Sequence, residues 1–136
     1  MSISATVVFQ ATGVQKTSGY SVGETVIFPA VTYNEGSGYN SSTGKFMAPV
    51  SGVYAFAKQI CENPDTYSYT AFVHNGHSVL SSMNQVPNFY SCQSAQVFVQ
   101  MASGDQMWVR VVFRSSSRLY YDSQLQTSFS GSLIHG

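Results

Sequence analysis

Apolar and polar residues alternate over short distances along this chain, a pattern that predicts β-strands separated by tight turns. Between residues 28 and 56 the aromatic residues are separated by clusters of Gly, Asn and Ser at 34–38 and 40–44, where the backbone is expected to reverse. Two reversals in about thirty residues match the strand spacing of β-sandwiches. The pattern therefore predicts an all-β fold.

The same pattern continues through the rest of the chain. It predicts strands at 6–10, 53–61, 67–74, 79–83, 93–101, 106–114 and 127–134. The run 24–28 also has strand character, and Asn75 with Gly76 is the strongest short signal for a hairpin turn. No helix of normal length is expected.

One of the predicted strands is apolar on both faces. Tyr54 and Phe56 alternate with Val53 and Ala55, so the strand 53–61 should be covered on both sides. One cover is the opposing sheet. The other, in a short chain without helices, is expected to be a neighbouring subunit.

The strand predicted at 106–114 also alternates. Met107, Val109, Val111 and Phe113 share one face, and Trp108, Arg110 and Val112 share the other. The large indole of Trp108 is expected in the core.

The composition narrows the class of protein. A chain of 136 residues is expected to form a single domain, residues 1–136, with a core of its own. Only 9% of residues are charged, with six basic against six acidic side chains, so no basic field exists to bind nucleic acid.

No apolar run is long enough to span a membrane, and the first residues do not form a signal peptide. Aromatic residues reach 14%, and with neutral hydroxyl and amide groups they suit both sheet surfaces and sugar binding.

The sequence gives little basis for catalysis, and the chain is not expected to be an enzyme. Residues 19–23 fit the G-x-S-x-G pattern around Ser21, with Asp122 and His135 in hydrolase order, but a strand-like run follows where a nucleophile elbow needs a helix. His74 and His77 flank the predicted hairpin without a third ligand, so no metal site is expected.

Two cysteines and one sequon are the candidate sites of covalent modification. Cys61 and Cys92 are too far apart for a CxxC motif and too few for a zinc cage, and they form either one disulfide or two buried thiols. Asn40 begins the usable sequon for N-glycosylation.

The spacing of the residues in segment 28–56 resembles the signature of the complement C1q globular-head family. That signature spaces a Phe, an Asn or Asp, an aromatic, a second Phe, a Gly and alternating aromatics. Its positions are occupied by Phe28, Asn34, Tyr39, Phe46, Gly52, Tyr54 and Phe56. Lys58 stands where the last aromatic of the signature would fall. Segments 104–109 and 129–134 resemble two later strands of the family.

The resemblance implies a ten-stranded jelly-roll β-sandwich of the type shared with tumour necrosis factor ligands, assembled as a homotrimer and secreted. In that topology the strand holding Cys61 runs antiparallel beside the strand that begins near Cys92. The two residues would then lie at the same end of one sheet, which favours a disulfide and an extracellular setting.

The resemblance also implies a binding function. We expect a soluble, lectin-type pattern-recognition protein that binds carbohydrate or microbial surface ligands, including sialylated ones, through the loops of a trimer. The alternative is a protein-interaction module, either a cytokine-like receptor ligand or a trimerising structural head.

The predicted ligand-binding residues lie in two loops. The loop 114–122 combines two Arg, two adjacent Tyr and a carboxylate. Its alternative interpretation is a solvated turn whose Tyr and Leu pack on the sheet edge. The candidates are Arg118, Tyr120, Tyr121 and Asp122, followed by Asn88 and Tyr90.

No cofactor is expected. Some members of the family hold calcium near the trimer axis through acidic residues just before the strand that here begins at Gln93. At that place the chain has the sequence 88–91, Asn-Phe-Tyr-Ser, without a carboxylate. An Asn and backbone carbonyls alone would bind a hard cation weakly.

Overall fold

Two five-stranded antiparallel sheets pack face to face in the computed structural model of the chain, which describes residues 5–64, 66–86, 90–112, 119 and 126–136. The strands within these residues are β1 Val8–Thr12, β2 Ala30–Glu35, β3 Tyr39–Asn40, β4 Lys45–Met47, β5 Gly52–Glu62, β6 Thr66–His74, β7 His77–Val86, β8 Ser91–Met101, β9 Gln106–Val111 and β10 Ser128–His135. The first sheet has the order β2-β1-β10-β5-β8, and the second has the order β3-β4-β9-β6-β7. The predicted all-β, ten-stranded jelly roll is confirmed.

The core between the sheets is built mainly from aromatic rings. Phe9 of β1 lies with its ring centroid 5.0 Å from those of Phe46 and Phe129, stacked on the first and edge-on to the second. Phe56 of β5 packs 5.5 Å from Phe46. Gly131 of β10 lies directly against this cluster, and a Cβ atom there would come within 2.6 Å of Phe56 and 2.7 Å of Phe9. The absence of a side chain at Gly131 therefore allows the rings to reach the backbone.

Three residues of the signature segment hold one another in place. The Asn34 side chain donates to the carbonyl of Tyr39 at 2.9 Å and accepts from its N–H at 3.1 Å, which closes the turn between β2 and β3. The buried Tyr39 hydroxyl donates to the carbonyl of Phe28 at 2.8 Å. Burial raises the pKa of Tyr39 to about 12, so the phenol stays a hydrogen-bond donor at neutral pH.

Lys58 is a buried basic residue on the core-facing side of β5, where an apolar side chain would be expected. It is 2% exposed and points the same way as Tyr54 and Phe56. Its Nζ donates to Thr70 Oγ1 at 2.6 Å and lies 5.1 Å from the centroid of the Phe72 ring. Burial lowers the pKa of Lys58 to about 7, because desolvation penalises the charged ammonium. A long side chain thus fills the place of the missing aromatic.

The structure contradicts the prediction for Trp108. Met107, Val109 and Val111 face the core from β9, which leaves Trp108 on the outer face of the second sheet and partly exposed. The indole is therefore available to neighbours on that face.

Two further differences concern strand placement. Residues 24–28 make only an isolated bridge, between Thr25 and Arg110, although Val26 and Phe28 are buried. The next strand, β2, was not anticipated as a separate element, because its residues are exposed on both faces and lack alternation. The predicted hairpin is confirmed, with β6 and β7 joined at positions 75 and 76.

The outer face of the first sheet is open and carries large apolar side chains among neutral polar ones such as Gln10 and Gln96. Phe98 of β8 is 64% exposed and Tyr33 of β2 is 50% exposed. Between these strands lies a shallow depression of about 660 Å³ whose floor includes Ala55 and Ala57. The second apolar face expected for β5 is thus uncovered in the single chain.

Candidate functional site

The Cys61–Cys92 end of the first sheet is where the predicted binding segments meet. A disulfide joins Cys61 near the end of β5 to Cys92 at the beginning of β8, and the two residues are also direct cross-strand partners. This is one of the two states that the sequence allowed. The covalent link fixes β5 to the beginning of β8, which the loop with Asn88 and Tyr90 directly precedes.

Both loops meet β5 at the same residue. Ser91, which follows Tyr90, pairs with Glu62, and Leu119 forms an isolated bridge with Glu62. Leu119 is 1% exposed, and its N–H donates to the carbonyl of Thr17 at 2.9 Å. The centre of the loop 114–122 is therefore anchored in the protein interior next to the residue that follows Tyr90.

Only part of the predicted set can be placed. Tyr90 is 45% exposed and lies directly before β8. The remaining candidates, Arg118, Tyr120, Tyr121, Asp122 and Asn88, lie outside the residues that the structure describes.

The two hairpin histidines take part in a structural contact. His74 and His77 are cross-strand partners, as expected from the hairpin. His74 Nε2 lies 2.9 Å from Asp105 Oδ2, and Asp105 also accepts the N–H of Ala102 at 3.0 Å. The hydrogen bond from His74 is the main cause that lowers the pKa of Asp105 to about 2. The contact ties the β6–β7 hairpin to the turn before β9, and no group of three or more metal-ligating side chains occurs among the described residues.

Ser21 does not sit in a nucleophile elbow. Its N–H donates to Glu24 Oε1 at 2.9 Å in a surface turn. The chain then runs beside β9, where Val26 donates to the carbonyl of Val109 at 2.8 Å, instead of entering a helix. Asp122, the third residue of that pattern, belongs to the part of the chain without described coordinates.

Asn40 lies in an exposed turn at the end of β3. Its Oδ1 accepts the N–H of Ser42 at 2.8 Å, which orders the sequon in solvent-facing backbone. The side chain is sterically accessible for glycosylation.

The sequence analysis missed a cluster on the outer face of the second sheet. The Nζ atom of Lys45 lies 4.3 Å from the centroid of the Trp108 ring, and Arg110 follows on the same face of β9. The alternation of β9 already placed Trp108 and Arg110 together. The missing information was the pairing of β4 with β9, which brings in Lys45.

The part of the chain that the structure describes contains no helix long and apolar enough to cross a membrane.

Comparison with solved structures places the fold. The globular domain of zebrafish complement 1qA superposes with a TM-score of 0.77 at 18% identity, covering 96% of this chain and 98% of that one. Murine APRIL superposes with a TM-score of 0.73 at 14% identity, covering 95% and 99%. At these identities the likeness concerns the fold alone.

Comparison of sequences identifies the family. Human complement C1q tumor necrosis factor-related protein 3 is 32% identical over 111 residues, which cover 80% of this chain and 44% of that protein. Human complement C1q tumor necrosis factor-related protein 2 is 28% identical over 109 residues, covering 79% and 38%. The chain spans about two fifths of the length of these relatives. The sequence model of the C1q domain matches residues 8–134, so the chain belongs to the C1q domain family.

Proposed function

We propose that this chain is a secreted, non-catalytic recognition protein that assembles as a homotrimer and binds carbohydrate on microbial or host surfaces. The observation that carries the proposal is the uncovered apolar outer face of the first sheet. A soluble protein that leaves such a face open in one copy has an interaction partner there.

The composition of that face fits a second and third copy of the same chain. Phe98 and Tyr33 supply large apolar groups at its two margins, while Ala55 and Ala57 keep the middle flat. Neutral side chains such as Ser130 accompany them.

Trimerisation gives weak sites a useful affinity. Three copies of one loop on a single rigid body can engage a repetitive surface at once, and the resulting avidity exceeds the affinity of one site by about two to four orders of magnitude. Microbial envelopes and glycan coats are repetitive surfaces of this kind. A trimer with three identical sites on one rigid body is therefore suited to recognising such repetitive patterns.

The disulfide supports the proposal that the protein is secreted. Disulfides form and persist in oxidising compartments, and Cys61–Cys92 joins β5 to the edge strand β8. The relatives are named after complement and tumour necrosis factor, and we extend an extracellular role to this chain.

The carbohydrate assignment rests on the chemistry of the predicted loops. We assign stacking on pyranose rings to Tyr120 and Tyr121, hydroxyl recognition to Asp122 and Asn88, and pairing with a carboxylated sugar such as a sialic acid to Arg118. Tyr90 supplies an exposed aromatic ring at the same end of the first sheet. No calcium ion is part of the proposal, and Asn40 is a proposed glycosylation site.

The second candidate function is a protein ligand. The murine APRIL fold and the names of the sequence relatives favour a role in protein interaction, as a receptor ligand or as a trimerising head. The same trimer would then present its loops to one protein instead of to glycans.

A glycan array that includes sialylated and microbial polysaccharides tests the proposal. The protein is first shown by light scattering to be trimeric, and binding is measured with and without EDTA. Selective sugar binding that is unchanged by EDTA and lost in a trimeric Tyr121→Ala variant is the expected result. A blank array with a folded trimer would reject the carbohydrate function in favour of the protein ligand.

A further inference from the structure

Two cations flank an indole on the outer face of the second sheet. Phe46 pairs with Met107 across β4 and β9, so the preceding Lys45 lies opposite Trp108. Lys45 Nζ is 4.3 Å from the centre of the indole. Arg110 lies two residues further along β9 on the same face, and its guanidinium reaches over β6 to Ser78 of β7, on the side away from Lys45.

These cations are not neutralised by the salt bridges of the described residues. Those bridges join Lys16 to Glu24 at 2.7 Å and His74 to Asp105. Arg110 donates to a neutral group, Ser78 Oγ, at 2.9 Å. Its contact leaves the positive charge of the guanidinium uncompensated.

The described carboxylates are engaged elsewhere. Glu24 and Asp105 are in the bridges just named, Glu35 accepts a hydrogen bond from Tyr33, and Glu62 is fully buried. In a chain with so few charged residues, the face around Trp108 is therefore a local positive region. Its charge is complementary to an anion.

A polar cleft of about 610 Å³ lies beside Lys45. Its lining combines the hydroxyls of Ser41 and Thr43 with the amides of Asn40 and Gln106. A second cleft of about 310 Å³ shares Met47 and the 37–38 backbone with the first, so the depression continues along β4. The cleft offers neutral hydrogen-bonding groups next to a cation and an exposed thioether.

We propose that this face binds an anionic saccharide, with Lys45 and Arg110 pairing with a carboxylate or sulfate of the sugar chain. The hydroxyl and amide groups of the cleft receive the ring hydroxyls of the adjoining residues. The inference names a second site for the carbohydrate class of the proposed function and in that sense rests on it.

An acidic peptide fits this face less well. Peptides gain much of their affinity for sheet proteins by adding a strand to a free edge, and the edge beside the cleft is β3, which has two residues. The other edge of this sheet, β7, does not line the cleft. The groups that line the cleft are mainly side-chain hydroxyls and amides. A sugar chain uses such groups without needing a continuous backbone edge.

Three dextrans with one backbone test the inference: neutral dextran, carboxymethyl dextran and dextran sulfate, with oligo-aspartate as a peptide control. Binding is measured by calorimetry on bacterially expressed protein, which carries no glycan at Asn40. We expect binding of one or both anionic dextrans and none of neutral dextran. Lys45→Gln and Arg110→Gln should each weaken it about tenfold, the effect of losing a charge-assisted hydrogen bond. The anionic dextran that binds identifies carboxylate or sulfate as the recognised group.

Lys16→Gln is the matched control, because it removes the same charge from a different surface and should leave the affinity unchanged. Equal weakening by Lys16→Gln would overturn the site, since net charge would then explain the binding. Oligo-aspartate binding as tightly as the dextrans, with the same dependence on Lys45, would overturn the saccharide assignment.

The two carbohydrate proposals fail separately. Array binding that depends on Tyr121 but not on Lys45 or Arg110 would overturn this inference and leave the proposed function in place. Dextran binding that depends on Lys45 and Arg110 supports this inference whether or not Tyr121 contributes. No binding of any dextran or glycan would reject both.

Discussion

Lys58 shows how one side chain can replace another without the same chemistry. The signature of the family has an aromatic at this place, and the lysine fills the space with its alkyl stem while its amine reaches Thr70. A buried lysine keeps its amine hydrogen-bonded at the expense of its charge. Its cost to stability therefore depends on pH.

We predict that stability rises with pH because of Lys58. Its pKa is lowered from 10.5 to about 7 in the folded protein, so between these values the unfolded chain binds the proton and the folded chain does not. The free energy of unfolding should increase by about 2 kcal/mol from pH 7 to pH 9 on this account. Below pH 7 both states hold the proton and the dependence disappears.

Urea unfolding of wild-type protein and of Lys58→Met at several pH values measures this effect. The variant lacks the titrating group, so the difference between the two proteins should change by the same amount across the range. Parallel pH profiles would show that Lys58 keeps its ordinary pKa in the fold.

The space at Gly131, between the aromatic rings of the core, is too small for a side chain. We expect Gly131→Ala to lower the free energy of unfolding by about 1–3 kcal/mol, because its Cβ would overlap Phe56 and Phe9. Ser132→Ala on the neighbouring residue should change stability by less than about 0.5 kcal/mol.

A double-mutant cycle identifies the cause. In the Phe56→Leu background the smaller side chain leaves room, so Gly131→Ala should cost less than in the wild-type background, as measured by urea unfolding. Additive effects of the two changes would mean that the overlap with Phe56 is not the cause.

Individual residues were predictable where they make a local pattern. The spacing of Phe28, Asn34 and Tyr39 was recognisable, because the side chains of Asn34 and Tyr39 bond to the backbone of Tyr39 and Phe28, all within a dozen residues. Trp108 was placed wrongly because of the size of its apolar ring. It shares a face of β9 with the polar residues Gln106 and Arg110, and that polar face is the outer one.

At the scale of elements, the strands with a clear alternation or a turn signal were found. The β6–β7 hairpin follows from Asn75 and Gly76, which adopt φ values of 50° and 92°, the left-handed pair that a tight hairpin requires. β2 lacks such a signal, because it is exposed on both faces and owes its conformation to pairing with β1. Long-range pairing of this kind leaves little trace in a single sequence.

The disulfide between β5 and β8 should contribute substantially to the free energy of unfolding. Cys61 and Cys92 are 31 residues apart, and closing a loop of that length in the unfolded chain corresponds to about 3–4 kcal/mol. We expect dithiothreitol to lower the free energy of unfolding by about that amount.

Guanidinium unfolding with and without reductant checks this value. A Cys61→Ala, Cys92→Ala protein is the control, and it should unfold identically in both conditions. Equal stability of oxidised and reduced wild-type protein would mean that the pairing of β5 with β8 already restricts the unfolded chain.

At the scale of the whole molecule, the open face of the first sheet predicts the oligomer. Phe98→Lys should turn the proposed trimer into monomers of 14.8 kDa, because burying three ammonium groups in an apolar contact is unfavourable. Light scattering coupled to gel filtration measures the mass.

Val79→Lys is the matched control for that experiment. Val79 is also exposed, but it lies on β7 in the second sheet. This variant should stay trimeric. A trimeric Phe98→Lys protein would show that the subunits associate through another surface.

The candidate sites were only partly predictable at this scale. The resemblance placed Cys61 and Cys92 at the same end of one sheet, and the structure joins them. That Ser91 and Leu119 both pair with Glu62 was not predicted. The cluster around Trp108 could not be foreseen, because Lys45 and Trp108 are 63 residues apart and meet only through the pairing of β4 with β9. Local sequence cannot reveal a site assembled from two strands in this way.

Because Lys58 is buried between the two sheets, its chemical reactivity can report how often the sheets separate. The chain has three lysines, and Lys16 and Lys45 reach solvent while Lys58 does not. An acylating reagent modifies a lysine only when its amine is accessible, and burial keeps the Lys58 amine out of reach in the closed protein. The rate at which Lys58 becomes acylated, set against the immediate reaction of the other two lysines, therefore measures how often the two sheets separate.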